Sequence, residues 1–276
     1  MSVVSITFFG VRGSIPVCGS EVAQFGGNTT CIAFLRKKTN RISIMDAGTG
    51  IRNLGKHINE HYPEQRDLNI TFSHFHWDHI QGFPFFDPAY NPQMTIDIQV
   101  FGKDMPEGDL RNIFSRQMME DYFPVPLQDM GAHFNFNSSP QRVSYGEGVS
   151  IETIEQNHPG GSFGFRVEVD GICFVICTDH EHGDMIEDRF VEFCRDADLL
   201  IHDAQYTSEE LKTHKGWGHS SYDQCIELAK RAGVKQLVLT HHDPDHNDAF
   251  LNKMETYCQE RFPNCQLARE GMTIEL

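Results

Sequence analysis

His74, His76, Asp78 and His79 fall within six residues of one another, in the stretch TFSHFHWDHIQ from Thr71 to Gln81. Imidazole and carboxylate donors together suit zinc, iron or manganese. Donors this dense fit the turn after a strand, where the chain can curl around one or two ions. They fit the strand itself less well, because its side chains alternate between faces. The run Leu68 to Phe72, β-branched and aromatic, reads as that strand. Further donors recur where other strands are expected to end, at His158, Asp179 and His241. Seven donors are enough for two ions sharing a carboxylate and a water. Paired ions roughly 3.5–4 Å apart serve hydrolysis by clamping the attacking and leaving oxygens, and an ion brings the pKa of a bound water toward about 7.

The elements that must position these donors follow from periodicity and punctuation. Val3 to Phe9 reads as a first strand, and Cys31 to Arg36 with Arg41 to Met45 as a strand pair. The second of the pair runs into Asp46-Ala47-Gly48-Thr49-Gly50, and an acidic residue at such a strand end often supports a site without ligating. Ile51 to His61 has helical spacing, and Ile96 to Phe101 alternates as a strand. Residues 103–140 read as an insertion with one helix over Leu110 to Met119. Strands are then expected at Val149 to Glu155, Ser162 to Val169 and Ile172 to Cys177, the last two joined by an Asp170-Gly171 hairpin turn. Helices over 184–194, 208–214, 221–232 (ended by Gly233) and 249–261 alternate with strands ending at Ile201 and Leu239. Two mixed halves, each a sheet with helices outside it, predict an α/β chain folded as a four-layer αββα sandwich.

The Gly10 to Thr30 loop holds five glycines and one proline, and a loop of that length is functional or disordered. Its Arg12, Gly13 and Ser14 admit two readings, a phosphate contact or a structural turn, and Asn28 near its end is a third candidate for substrate contact. It is not a P-loop, since no Gly-Lys-Ser/Thr follows.

Composition bounds the function. The 276 residues are 39% hydrophobic and 22% charged, ordinary for a globular protein, with a formal net charge of −16. That charge argues against a chain-wide basic surface for long nucleic acid, but not against a small anion held by metal ions. The eight cysteines are scattered and form no C-x-x-C pair, so neither a zinc knot nor a redox dithiol is expected. No apolar run approaches membrane-spanning length, and no leader is evident at the N-terminus. A cytoplasmic protein without membrane contact is the expectation.

The residues carry a resemblance. SHFHWDHIQG is similar to the H-x-H-x-D-H signature of the metallo-β-lactamase fold. MDAGTG resembles that family's Asp-Gly strand end, NHPGGSFGFRVE the segment bearing its next histidine, and CTDH the segment bearing its bridging carboxylate. GWGHSSYDQCIELAKRAGVKQLVLTHH resembles the Gly-His-Ser/Thr helix and Leu-Thr-His strand end of the phosphodiesterase branch, which includes ribonuclease Z. The resemblance covers nearly the whole chain and implies one domain over residues 1–276. It implies that His74, His76 and His158 bind one divalent ion, that Asp78, His79 and His241 bind a second, and that Asp179 bridges them. The ions would be zinc, with manganese or iron as alternatives. Asp78, His219 and Asp203 would be catalytic. His219 would protonate or stabilise the leaving oxygen, and Asp203 would orient it at a position where the family usually has Glu. Asp46 would hydrogen-bond a ligand histidine. His180, His182, His202, His242 and His246 are expected outside the ligand set, although His182, His242 or His246 could reach substrate.

The implied chemistry is phosphodiester cleavage by a bridging hydroxide. No basic arm for tRNA is evident: residues 103–140 carry Lys103, Arg111 and Arg116 against six carboxylates. A small phosphodiester such as a 3′,5′-cyclic nucleotide is therefore the expected substrate, with GFPFF and DYFPVP available to stack on a base. The alternatives are a ribonuclease Z-like tRNA 3′-processing enzyme, a di-iron oxygen or redox protein (whose relatives carry Glu at the position of His76), and a nucleotide sensor without turnover. The apolar insertion suggests a homodimer.

Overall fold

Alternating apolar residues bury each sheet against two different neighbours, and that sets the layers. The computed structural model describes residues 2–146 and 148–276. Its first half runs β1 (Val4–Gly10), β2 (Cys31–Arg36), β3 (Arg41–Met45), α1 (Ile51–His61), β4 (Asp67–Thr71), α2 (Trp77–Ile80), β5 (Thr95–Phe101), α3 (Glu107–Gln117) and β6 (His133–Ser139). Its second half runs β7 (Arg142–Gly146), β8 (Val149–Gln156), β9 (Ser162–Val169), β10 (Ile172–Cys177), α4 (Asp188–Phe193), β11 (Leu199–Asp203), α5 (Ser208–Leu211), α6 (Tyr222–Ala232), β12 (Leu237–Thr240), α7 (Asp248–Arg261) and β13 (Cys265–Leu267). A last strand, β14 (Thr273–Glu275), returns to pair with β1.

Two seven-stranded sheets result, ordered β14-β1-β2-β3-β4-β5-β6 and β13-β12-β11-β10-β9-β8-β7. In the first, β3 to β6 are parallel; in the second, β10 to β13 are parallel. One apolar cluster joins Leu68, Ile70, Ile96 and Ile98 of the first sheet to Ile51, Leu54 and Ile58 of α1 and to Leu110 and Phe114 of α3. Another joins the second sheet to α4, α6 and α7. The third draws on strands of both sheets and on no helix, with Phe34 stacked on Phe174 at 5.4 Å across the gap. Helix, sheet, sheet, helix is the αββα order the sequence predicts. Each fully buried Ile, Leu or Phe adds about 1.5–3 kcal/mol to holding these layers together.

Local signals behave as their chemistry requires. The α6 helix opens on a capping box, with the Ser221 side chain accepting from Gln224 N–H and the Gln224 side chain reaching back, and it ends at Gly233 in the left-handed region (φ 68°). The Asp170-Gly171 turn has both residues at positive φ and joins β9 to β10.

The segment 103–140 is less of an insertion than its composition suggests. Its last part is β6, which pairs parallel with β5 and forms the edge of the first sheet. Helix α4 is also shorter than the expected 184–194, because residues 184–187 form no helical turn. Strands β7, β13 and β14 are not among the expected strands; they are only five, three and three residues long, and their pairing with neighbours already in place defines them. Among the described residues no helix is long and apolar enough to cross a membrane.

Candidate metal centre

Strand ends deliver the site. Asp46 follows β3, Asp179 follows β10 and His241 follows β12, and all three have left-handed backbones, with φ of 61°, 60° and 62°. Such conformations are costly for non-glycine residues and persist where the surroundings enforce them. Here each turns the chain sharply as it leaves a parallel strand. The stretch after β4 supplies His74 and His76, and α2 then carries Asp78 and His79.

Four overlapping donor groups form among the described residues; two of them include His219, and the other two hold the seven expected donors. Donor atoms of His74, His76 and His158 lie within 4.8 Å of one another, as do those of Asp78, His79, Asp179 and His241. Asp179 faces both groups. Its Oδ2 is 3.7 Å from His74 Nε2 and 3.6 Å from His158 Nε2; its Oδ1 is 3.1 Å from His79 Nε2 and 3.3 Å from His241 Nε2. Asp78 Oδ2 closes the second group, 3.4 Å from His79 Nε2 and 3.2 Å from His241 Nε2.

The outward nitrogens of these rings are held by the protein. His79 Nδ1 lies 2.8 Å from Asp46 Oδ2, and Asp46 also accepts from Ser73 N and Ser73 Oγ. His241 Nδ1 donates to Gln205 Oε1 (3.0 Å) and His158 Nδ1 to the Gly218 carbonyl (3.0 Å). Each contact fixes a tautomer that directs Nε2 inward, as a metal ligand requires. His74 Nε2, His79 Nε2 and Asp179 Oδ1 are buried without a hydrogen-bond partner. Buried polar atoms are ordinarily satisfied, so three that converge on one another suit cations between them.

Electrostatics agree. Burial raises Asp179, but His241, His79 and His74 outweigh it and hold its carboxyl well below the usual range. Burial lowers His79 and His241, yet the surrounding carboxylates reverse this, raising His79 strongly and His241 to about 9. Burial keeps His74 and His158 low, hence neutral. The second group therefore demands positive charge, which protons supply when no cation does. The donor set of imidazoles and carboxylates fits a pair of divalent ions.

His219 overlooks both groups, its ring centroid 5.3 Å from that of His158 and 4.9 Å from that of His241. Its Nδ1 is 2.5 Å from Asp203 Oδ2, which leaves Nε2 as the nitrogen open to substrate. Asp203, at the end of β11, also accepts from Gln205 N at 3.1 Å. The shorter carboxylate thus reaches its histidine without the extra methylene of Glu.

In the glycine-rich loop the polar side chains of Arg12 and Asn28 are engaged by the protein itself. Arg12 is fully buried, and its guanidinium donates to the carbonyls of Gly26, Asp243 and His246. It follows the structural reading, bracing three loops. Asn28 gives both its backbone N–H and its side-chain amide to Glu270. Ser14 does stand at the site, exposed, with its N–H donating to Asp78 Oδ2 at 2.8 Å. Gly13 matters more: a Cβ there would lie 2.3 Å from the His241 ring. His242 points away and hydrogen-bonds the Ala268 carbonyl, while His182 pairs with His180 and His246 with Glu210.

Sequence reasoning missed Gln205, Ser73 and Glu181. The carboxylate of Glu181 accepts the N–H groups of Gly216 and Gly218, tying down the loop before His219. A carboxylate two residues after Asp179 was the available signal, but only the fold brings it to a loop some 35 residues away.

A family model described as a β-lactamase superfamily domain matches residues 41–242. A ribonuclease Z from Prochlorococcus marinus (strain NATL1A) is 34% identical over 109 residues, an alignment covering 38% of this chain and 33% of that protein. The chain thus spans about a third of that relative's length in the alignment. Among solved structures, the metallo-β-lactamase fold protein YhfI from Bacillus subtilis superposes with a TM-score of 0.71 at 18% identity, covering 100% of both chains. Human tRNase Z, short form, superposes with a TM-score of 0.66 at 20% identity, covering 98% of both. At those identities the structural likeness concerns the fold.

Proposed function

The chain belongs to the β-lactamase superfamily domain family and has the metallo-β-lactamase fold, and from that premise we propose that it is a metal-dependent hydrolase cleaving a small phosphodiester, a 3′,5′-cyclic nucleotide in the first instance. The observation that carries this reading is the His219–Asp203 pair set over two donor groups that share Asp179. Cleaving a phosphodiester calls for charge stabilisation on the phosphoryl oxygens and a proton for the departing oxygen.

His74, His76 and His158 would hold one ion, and Asp78, His79 and His241 the other, with Asp179 common to both. Two divalent ions, zinc first and manganese or iron as alternatives, would supply Lewis acidity toward a phosphoryl oxygen and a nucleophile from water at neutral pH. The remaining work belongs to the chain. Asp203 accepts from His219 Nδ1–H and so turns Nε2 toward the leaving oxygen, to which the ring donates when both of its nitrogens carry a proton. The Ser14 N–H holds the Asp78 carboxylate, and Gly13 lets the loop lie against His241. Asp46, Gln205 and the Gly218 carbonyl keep the ligand rings from rotating.

The preference for a small substrate rests on charge. A net charge of −16 repels a polyanion, and the 103–140 segment offers three basic residues against six acidic ones. A second reading, tRNA 3′-processing, draws on the ribonuclease Z name of a relative. Metal-reconstituted protein assayed on cyclic mononucleotides, cyclic and linear dinucleotides and precursor tRNA separates them. Turnover of cyclic mononucleotides is the expected result. Cleavage of precursor tRNA alone would replace it with the second reading, and no cleavage at full metal occupancy would overturn both.

A further inference from the structure

The chain has two tryptophans, and both are exposed: Trp77 by 64%, between His76 and Asp78, and Trp217 by 60%, two residues before His219. A tryptophan kept for packing is buried over most of its large surface. Trp217 is also held rigidly. It sits between Gly216 and Gly218, both in the left-handed region (φ 84° and 90°). The N–H groups of both glycines bond the buried Glu181 carboxylate, at 2.8 Å and 2.9 Å. The ring meets His214 edge-on at 4.8 Å, His214 stacks on Tyr206 at 4.6 Å, and Tyr206 meets the edge of His219 at 6.0 Å. Ring contacts thus link the proposed proton donor, through the buried Tyr206, to the exposed Trp217 indole.

We propose that Trp217 is the base-binding platform of this site: a nucleobase attached to the phosphodiester stacks on its indole while the phosphate lies at the donor groups. This rests on the phosphodiesterase reading for the phosphate's position and adds the chemical class of the group beside it. The chemistry favours a flat aromatic over an aliphatic group. An indole presents a large π-face, stacking needs no hydrogen-bond complement, and a side chain with two rotatable χ angles loses little entropy on binding. The Gly218 carbonyl that ends this loop also fixes His158, so base and phosphate sites share one rigid support.

Because the chain has only two tryptophans, its own fluorescence reads the contact. Metal-loaded Trp77→Phe protein, in which Trp217 is the sole indole, is titrated with adenosine 5′-monophosphate and with ribose 5-phosphate, which lacks the base. The nucleotide is expected to quench the emission and to bind roughly tenfold more tightly than the sugar phosphate. Trp217→Ala, followed by calorimetry, is expected to abolish that difference while leaving ribose 5-phosphate affinity unchanged. Trp217→Phe retains part of it and guards against a loop that fails to form. Equal affinity for the two ligands in protein retaining Trp217, or an undiminished preference in Trp217→Ala, would overturn the proposal. The readout is binding, so a protein that prefers the nucleotide through Trp217 yet cleaves no phosphodiester keeps the platform and sinks only the catalytic reading.

Discussion

His219 Nδ1 lies 2.5 Å from Asp203 Oδ2, and that contact fixes which histidine nitrogen faces the donor groups. His219→Ala is expected to lower kcat on a phosphodiester by roughly 10²–10⁴-fold with metal content unchanged. Asp203→Asn, which removes the tautomer control, should fall in the same direction. The double variant should lose little more than the His219 variant, because the pair acts as a unit. Loss of metal from His219→Ala, measured by elemental analysis, would mean that it is a ligand.

Asp46 accepts from His79 Nδ1, Ser73 N and Ser73 Oγ. Asp46→Ala frees the His79 ring, and metal affinity is expected to weaken about 10–100-fold, read by competition with a chromophoric chelator.

At Gly13 an added Cβ would meet the His241 ring at 2.3 Å and Gln205 Oε1 at 2.9 Å. Gly13→Ala must displace His241, a proposed ligand, together with its hydrogen-bond partner. The expected outcome is a fall in bound metal from two ions to one per chain.

Glu181 holds two backbone N–H groups of the 216–218 loop. Glu181→Ala removes the acceptor of both N–H groups and leaves them unsatisfied. A destabilisation of about 1–3 kcal/mol in urea unfolding is expected, with a drop in kcat as the loop carrying His219 loosens.

Glu255 tests the pH dependence far from the metal centre. Burial opposes its ionisation, but the Arg269 fork and the Leu267 N–H overcome that and lower its pKa below 4.5. A depressed carboxylate contributes stability above its unfolded pKa and loses it as pH falls through the folded one. Glu255→Gln should cost about 1 kcal/mol near pH 7, with the gap to the natural protein closing below about pH 4.5. Chemical denaturation at pH 7 and at pH 3.5 checks it.

Local chemistry in the sequence determined a good deal. Ligand density at His74 to His79, the capping box of α6 and the Asp170-Gly171 hairpin are written in neighbouring residues, so no long-range information is needed to read them. The order of strands and helices pointed to αββα layers, because burial of alternate residues has few solutions, and the motifs from SHFHWDHIQG to LVLTHH made the assignment. The resemblance named the distant donors, but only the tertiary structure brings them together. His241 reaches Asp78 across 163 residues because β12 and β4 end at the same edge of two packed sheets. The tertiary structure also decided what polar residues do once their partners are set. Arg12 and Asn28 were candidates for substrate contact, but the carbonyls of Asp243 and His246 engage Arg12 and Glu270 engages Asn28, because the fold brings partners more than 200 residues away against this loop.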